Sequence, residues 1–206
     1  MTTPESFNDA LASTIDWSPV SAGGSNFATH TLVADGDSRM SFWPTRKAQA
    51  GWLFLILFGS FIPLGLGYSW YQSGEPPLVF VIFTSLVCSG FVFAGFIMKQ
   101  QITALVCFDK ATGSVELGQV VTDAAEGFDR DRVLLEQVYA LQMIEKRKMK
   151  SMESVGEYYS GELNLVLQDG TRVNIADHGD LPRLRKDAKT LSNFLDCPLW
   201  DVTSAS

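Results

Sequence analysis

Two histidines and three cysteines are the only imidazole and thiol groups the sequence offers for metal or nucleophilic chemistry. His30 and His178 lie far apart in the chain, with no H-E-x-x-H pair to set two imidazoles on one helix face. His178 falls in Ala176-Asp177-His178-Gly179-Asp180, whose residue types suit a metal but whose order suits a strand-to-helix turn with Asp180 as the N-cap. Cys88, Cys107 and Cys197 form no C-x-x-C step, so no zinc ribbon or redox pair is written there. There is no G-x-S-x-G elbow, P-loop, dinucleotide fingerprint or kinase signature. The chain is expected to hold no catalytic residue, no cofactor and no metal, and not to be an enzyme.

Charge is the chemistry that remains. Lys146-Arg147-Lys148-Met149-Lys150 is the dense positive run, diluted by Glu145, Glu153 and Glu157. Close to an anionic bilayer each such charge is worth about 1 kcal/mol. Asp123, Glu126, Asp129 and Asp131 make an acidic stretch with turn-like neighbours. Both are expected to be loops free of strand pairing, and so contact surfaces for a protein partner or for lipid. Tyr158-Tyr159, close by in sequence, is expected to pack within a strand.

These groups must be carried by a chain of 206 residues that is 46% hydrophobic and only 19% charged. A mean hydropathy of +0.09 and a charged fraction below the soluble norm of roughly 25% point to partial solvation by lipid. The net charge of −7 excludes a nucleic-acid binder held by bulk charge. No charge occurs from Ala48 to Gly74, nor from Pro76 to Met98. Each run exceeds the about 20 apolar residues needed to cross a hydrocarbon core, so a helical hairpin over 48–98 is expected, with spans near 51–71 and 77–98. Arg46, Lys47 and Lys99 flank one side, while Gln72-Ser73-Gly74-Glu75-Pro76-Pro77 carries no positive charge. The positive-inside rule then sets both termini in the cytoplasm, in what is expected to be a bacterial inner membrane. No Asp, Glu, Lys, Arg or His lies inside either span, which disfavours a transporter. Ser85/Ser89 and Gly90/Ala94 have small-xxx-small spacing and would seat the neighbouring span of the hairpin or, in a homo-oligomer, a second copy.

The remainder reads as β structure. Residues 1–26, rich in Ser, Thr, Pro and Gly, are expected to be a flexible segment. Residues 27–47 alternate about Asp35-Gly36 and should form a strand hairpin that joins the β domain of 99–202. Ile102 to Phe108 and Ser114 to Val121 flank a turn ending at Gly113. The second half of Val133 to Ile144 should be a strand. Glu162 to Gln168 and Thr171 to Ala176 flank the two-residue turn Asp169-Gly170. Asp180 and Pro182 should start a helix over 181–195, with Leu184, Ala188, Leu191 and Leu195 on its inner face. Leu199-Trp200 should fold back onto the sheet.

The Asp109 to Gly113 turn, the V-x-A-L-Q strand at Val138 to Gln142, the E-L-N-L-V-L-Q-D-G hairpin and the L-x-x-F-L-x-x-P-L-W ending at Leu191 to Trp200 recur in one order. In that order and spacing the chain resembles the two-helix membrane proteins of the photosystem I assembly factor family, and bacterial hairpin-anchored proteins with a pleckstrin-homology-like (PH-like) cytosolic domain. The resemblance, over roughly residues 45–202, implies a membrane α+β architecture: a transmembrane hairpin tied to a PH-like antiparallel β domain closed by a C-terminal helix. It also implies a role in assembling or holding a larger membrane complex. The expected function is a non-enzymatic membrane-anchored scaffold or assembly factor, and the alternative is an anionic-lipid-responsive adaptor using 146–150.

Overall fold

The structure, a computed structural model, describes residues 4–22, 25, 27–74, 77–103, 106–118, 120–126, 128, 129, 131–149 and 157–203. The chain is mixed α+β and divides into two compact units, Met1–Thr45 with Ala104–Ser206, and Arg46–Thr103.

The first unit opens with a 3-10 turn, Pro4–Phe7, and a short helix α1, Ala10–Thr14. Strands β1 (His30–Ala34) and β2 (Arg39–Pro44) follow, and Gly36 takes the positive φ of 73° that the tight turn between them needs. β2 pairs with β3 (Cys107–Asp109), which pairs with β4 (Ser114–Glu116), which pairs with β6 (Arg132–Leu134), all antiparallel. The strands before and after residues 46–103 therefore belong to one sheet, β1-β2-β3-β4-β6. The run 114–121 does not stay one strand. Its far end becomes β5 (Val121–Thr122), which pairs with β9 (Arg172–His178) in the second sheet.

That second sheet is built on β7 (Val138–Met149), β8 (Glu157–Leu167) and β9 (Arg172–His178), an antiparallel meander. Asp169 Oδ1 accepts from Thr171 N–H at 2.9 Å, and Gly170 has φ 86°, so the Asp-Gly step closes the β8–β9 hairpin as its residue types demand. α4 (Leu181–Leu195) is capped by Asp180, which accepts from Arg183 N–H at 3.1 Å. β10 (Leu199–Asp201) then returns parallel to β7.

Odd-numbered β7 residues and their β8 partners, Leu141 with Leu165 and Met143 with Leu163, face a core shared with Phe42, Phe108, Val115, Val133 and α4's Leu184, Ala188 and Leu191. The period of two along the strands and the 3.6-residue period of α4 aim these residues at one interior. Asp187, on the same helix, accepts from Leu32 N–H at 3.1 Å and so satisfies one donor of edge strand β1. Burial raises its carboxyl above the ordinary range.

Two sequence expectations are corrected here. Residues 4–22, within the segment 1–26 expected to be flexible, are folded onto the second sheet. Phe7, Leu11, Ile15 and Trp17 pack with Ala12, Ala140, Val166 and Trp200, and the Phe7 and Trp17 rings stack with centroids 5.8 Å apart. Asp9 caps the single helical turn by accepting from Leu11 and Ala12 N–H, and the apolar residues on either side of that turn gather on one buried cluster, which outweighs the polar composition. Second, 146–149 is not a loop, because β7 continues through the basic run to Met149 in register with β8.

The second unit is an antiparallel pair of helices, α2 (Arg46–Ser73) and α3 (Leu78–Thr103), each long and apolar enough to cross a membrane. They approach through glycine. A Cβ on Gly59 would lie 2.7 Å from the Cys88 carbonyl oxygen and 2.8 Å from Val92 Cγ2, whereas one on Gly65 would meet nothing within 4 Å. Gly59→Ala is therefore expected to weaken the helix pair by about 1–3 kcal/mol through overpacking, and Gly65→Ala to be neutral or stabilising. Detergent-driven unfolding in micelles reads both, and equal effects would mean that the helices do not pack at Gly59.

Candidate functional site

Strand alternation sends even-numbered β7 residues away from the shared core, the face that normally meets water. Here that face, Ala140, Ile144 and Val166 apart, is polar and nevertheless buried. Gln142, Lys146, Ser160, Glu162 and Asn164 are each 4% exposed or less. All of these but Ser160, whose hydroxyl has no hydrogen-bond partner, join a ladder across three strands. Asn174 Nδ2 donates to Asn164 Oδ1 at 3.1 Å, and Asn164 Nδ2 donates to Gln142 Oε1 at 3.2 Å and Glu162 Oε1 at 2.8 Å. Lys146 Nζ lies 3.0 Å from Glu162 Oε2 and makes a second ion pair with Asp177. Burial raises the Asp177 carboxyl above its usual value, in part offset by the Lys146 ammonium.

The cover over this ladder is the amino-terminal segment, which is read largely through its main chain. Glu162 Oε1 accepts from Val20 N–H at 2.7 Å and its Oε2 from Ser21 N–H at 3.1 Å. Lys146 Nζ donates to the Ser21 carbonyl at 3.2 Å, and Gln142 Nε2 to the Asp16 carbonyl at 3.1 Å. Arg172 is the second anchor. Its NH1 donates to the carbonyls of Asp16 and Ser18, both at 2.7 Å, its NH2 meets Asp16 Oδ2 at 3.3 Å, and its Nε meets Asp123 Oδ2 at 2.7 Å. The Ser18 hydroxyl, more than Arg172, holds the Asp16 carboxyl below its usual value.

The basic and acidic contact residues expected from sequence fare unequally. Lys146 is 4% exposed and ion-paired, which corrects its assignment to a solvent-facing contact surface; a buried ammonium needs its carboxylates. Arg147 and Lys148 stand on β7 in register with Tyr159 and Tyr158, and Lys150 lies outside the described residues. Asp123 is tied to both the N–H and the side chain of Arg172. Glu126, Asp129 and Asp131 are exposed, and Asp129 Oδ1 closes its own turn by accepting from Asp131 and Arg132 N–H. The two charged groups thus meet different fates: Lys146 and Asp123 serve the sheet, while Glu126, Asp129 and Asp131 face solvent.

Glu162, Arg172, Asp177, Gln142 and Asn164 were not singled out by sequence reasoning, because a polar residue alternating with leucine reads as the solvent face of a strand. The signal that would find them is the presence of Phe7, Leu11, Ile15 and Trp17 within an otherwise polar amino-terminal segment, since such side chains need a surface to cover.

Among the described residues, no three His, Cys, Asp or Glu side chains gather to hold a metal. His178 is fully buried with neither ring nitrogen hydrogen-bonded, and burial lowers it to about 4. Burial pushes the Cys197 thiol up to about 11, so little thiolate forms at neutral pH. Comparison with models of known protein families, with curated proteins and with solved structures gives no match.

Proposed function

We propose that this protein is a non-enzymatic, membrane-anchored scaffold or assembly factor, whose β domain binds a protein partner belonging to a larger membrane complex. The observation that carries the reading is the surface of the two long helices. Only 6% and 11% of their most apolar stretches are buried, and Phe61, Leu64, Phe83, Leu86 and Phe93 are all more than 60% exposed. Core helices of soluble proteins bury such faces, and an apolar surface of that extent needs lipid. In chain order the helices are inserted between β2 and β3 of one sheet. Successive antiparallel strands, a second meander and a closing helix support a PH-like arrangement of that domain.

The flanking charges support an orientation with the β domain cytoplasmic and the short turn outside. A membrane-impermeant thiol reagent applied to intact cells is expected to label Gly74→Cys and to leave Asp37→Cys unlabelled until the cells are opened; the reverse pattern overturns the orientation. Affinity purification in mild detergent, followed by identification of co-purifying membrane proteins, tests the scaffold reading. Recovery of the chain alone counts against it. The lipid-adaptor alternative loses Lys146 to the interior and rests on Arg147, Lys148 and Lys150.

A further inference from the structure

We propose that the outer face of the second sheet is a peptide-binding surface that the chain's own residues 5–21 occupy, and that its partner is an extended protein segment presenting an aspartate, an aromatic anchor next to it and then a short stretch of free main chain. The inference rests on the scaffold reading only in taking the ligand to be protein.

The face recognises main chain. Glu162 receives two successive N–H groups, Arg172 grips two carbonyls, and Lys146 and Gln142 take one carbonyl each. Main-chain groups are common to every peptide, so these contacts fix register and direction and leave identity to a few positions. Those positions are Asp16, met by Arg172, and Trp17, whose ring lies 6.3 Å from that of Trp200.

The cover lies on the sheet without strand pairing, and of its residues 5–21 only Ala12 is fully buried, while Phe7, Leu11, Ile15 and Trp17 are partly buried. Lifting an apolar cover from an apolar core exposes surface that water rejects. Lifting this one uncovers the small apolar patch of Ala140, Val166 and Trp200, but it also hands Lys146, Glu162, Arg172, Gln142 and Asn164 back to water, which solvates charges and amides well. The open face is therefore largely polar and able to take another segment, and a competitor with the same pattern needs only to match contacts already present in the chain.

The test uses the full chain in micelles and a fluorescent synthetic peptide of residues 5–22, followed by anisotropy. Trp17→Ala in the protein loosens the resident segment and is expected to tighten peptide binding at least tenfold over the parent. Trp17→Ala in the peptide should weaken its binding at least tenfold. No binding to a folded Trp17→Ala protein overturns the proposal, and so does dimerisation of that variant without peptide binding, which would make the face an exchange site between copies. Amide exchange in the unaltered protein gives an independent reading. Val20 and Ser21 N–H should exchange at least a hundredfold faster than Leu163 and Leu165, and equal rates would make the segment part of the permanent core. Peptide binding is read on purified protein, so its failure is distinct from a failure to recover membrane partners.

Discussion

Lys146→Met is expected to destabilise the β domain by about 3–5 kcal/mol, the cost of leaving buried carboxylates without their counter-charge. Lys146 is the cation shared by Glu162, which is fully buried, and Asp177, whose side chain is 13% exposed. Removing it leaves two like charges beside one another in a medium that screens poorly. Lys189→Met, on the exposed face of α4, should change stability by less than about 0.5 kcal/mol. Combining Lys146→Met with Glu162→Gln and Asp177→Asn should recover much of the loss, because neutral amides remove the stranded charge and retain hydrogen bonds. Denaturant unfolding monitored by tryptophan fluorescence measures all three. A Lys146→Met protein as stable as its parent would mean that the lysine is solvated and belongs to a surface contact after all.

The second large effect is acid sensitivity from His178. Its folded-state value is lowered to about 4 from the ordinary 6.5, mainly by burial, with Asp180 opposing and His30 and Arg183 reinforcing the shift. Above pH 6.5 the ring is neutral folded or unfolded, and its contribution is complete. Below 6.5 the unfolded chain takes up a proton that the folded chain refuses, so stability falls by about 1.4 kcal/mol per pH unit. The loss is about 2 kcal/mol by pH 5 and about 3 kcal/mol by pH 4. Asp177 and Asp187, both raised by burial, act in the opposite sense as they protonate in the folded state. The difference between parent and His178→Phe isolates the histidine. The variant should lose less stability between pH 7 and 5, and parallel profiles would show that His178 titrates normally in the fold.

Local order is what the linear chain expresses most directly, and the elements governed by it are those readable from composition and spacing. Two uncharged runs flanked by lysine and arginine dictate α2 and α3, because a helix satisfies its own main chain whatever surrounds it. Asp169-Gly170 and Asp35-Gly36 dictate hairpins, since few residue pairs accept the backbone angles these turns need. Asp180, Pro182 and the leucine spacing dictate α4. Each signal is complete within a few residues.

The buried polar face lies beyond that horizon. Whether Glu162, Asn164 and Lys146 meet water or protein depends on residues 16–21, more than a hundred positions earlier, and alternation along a strand says only that they share a side. A run of lysines has the same local pattern on a loop as at the end of a long strand, and pairing with 157–160 is what makes it strand. Composition reads a Ser- and Thr-rich amino terminus as flexible, and four apolar side chains meeting Trp200 from the far end of the chain overrule it. Charge burial is a property of three-dimensional neighbours, since its cost is set by solvent exclusion and by counter-charges that proximity in space, and not in sequence, supplies.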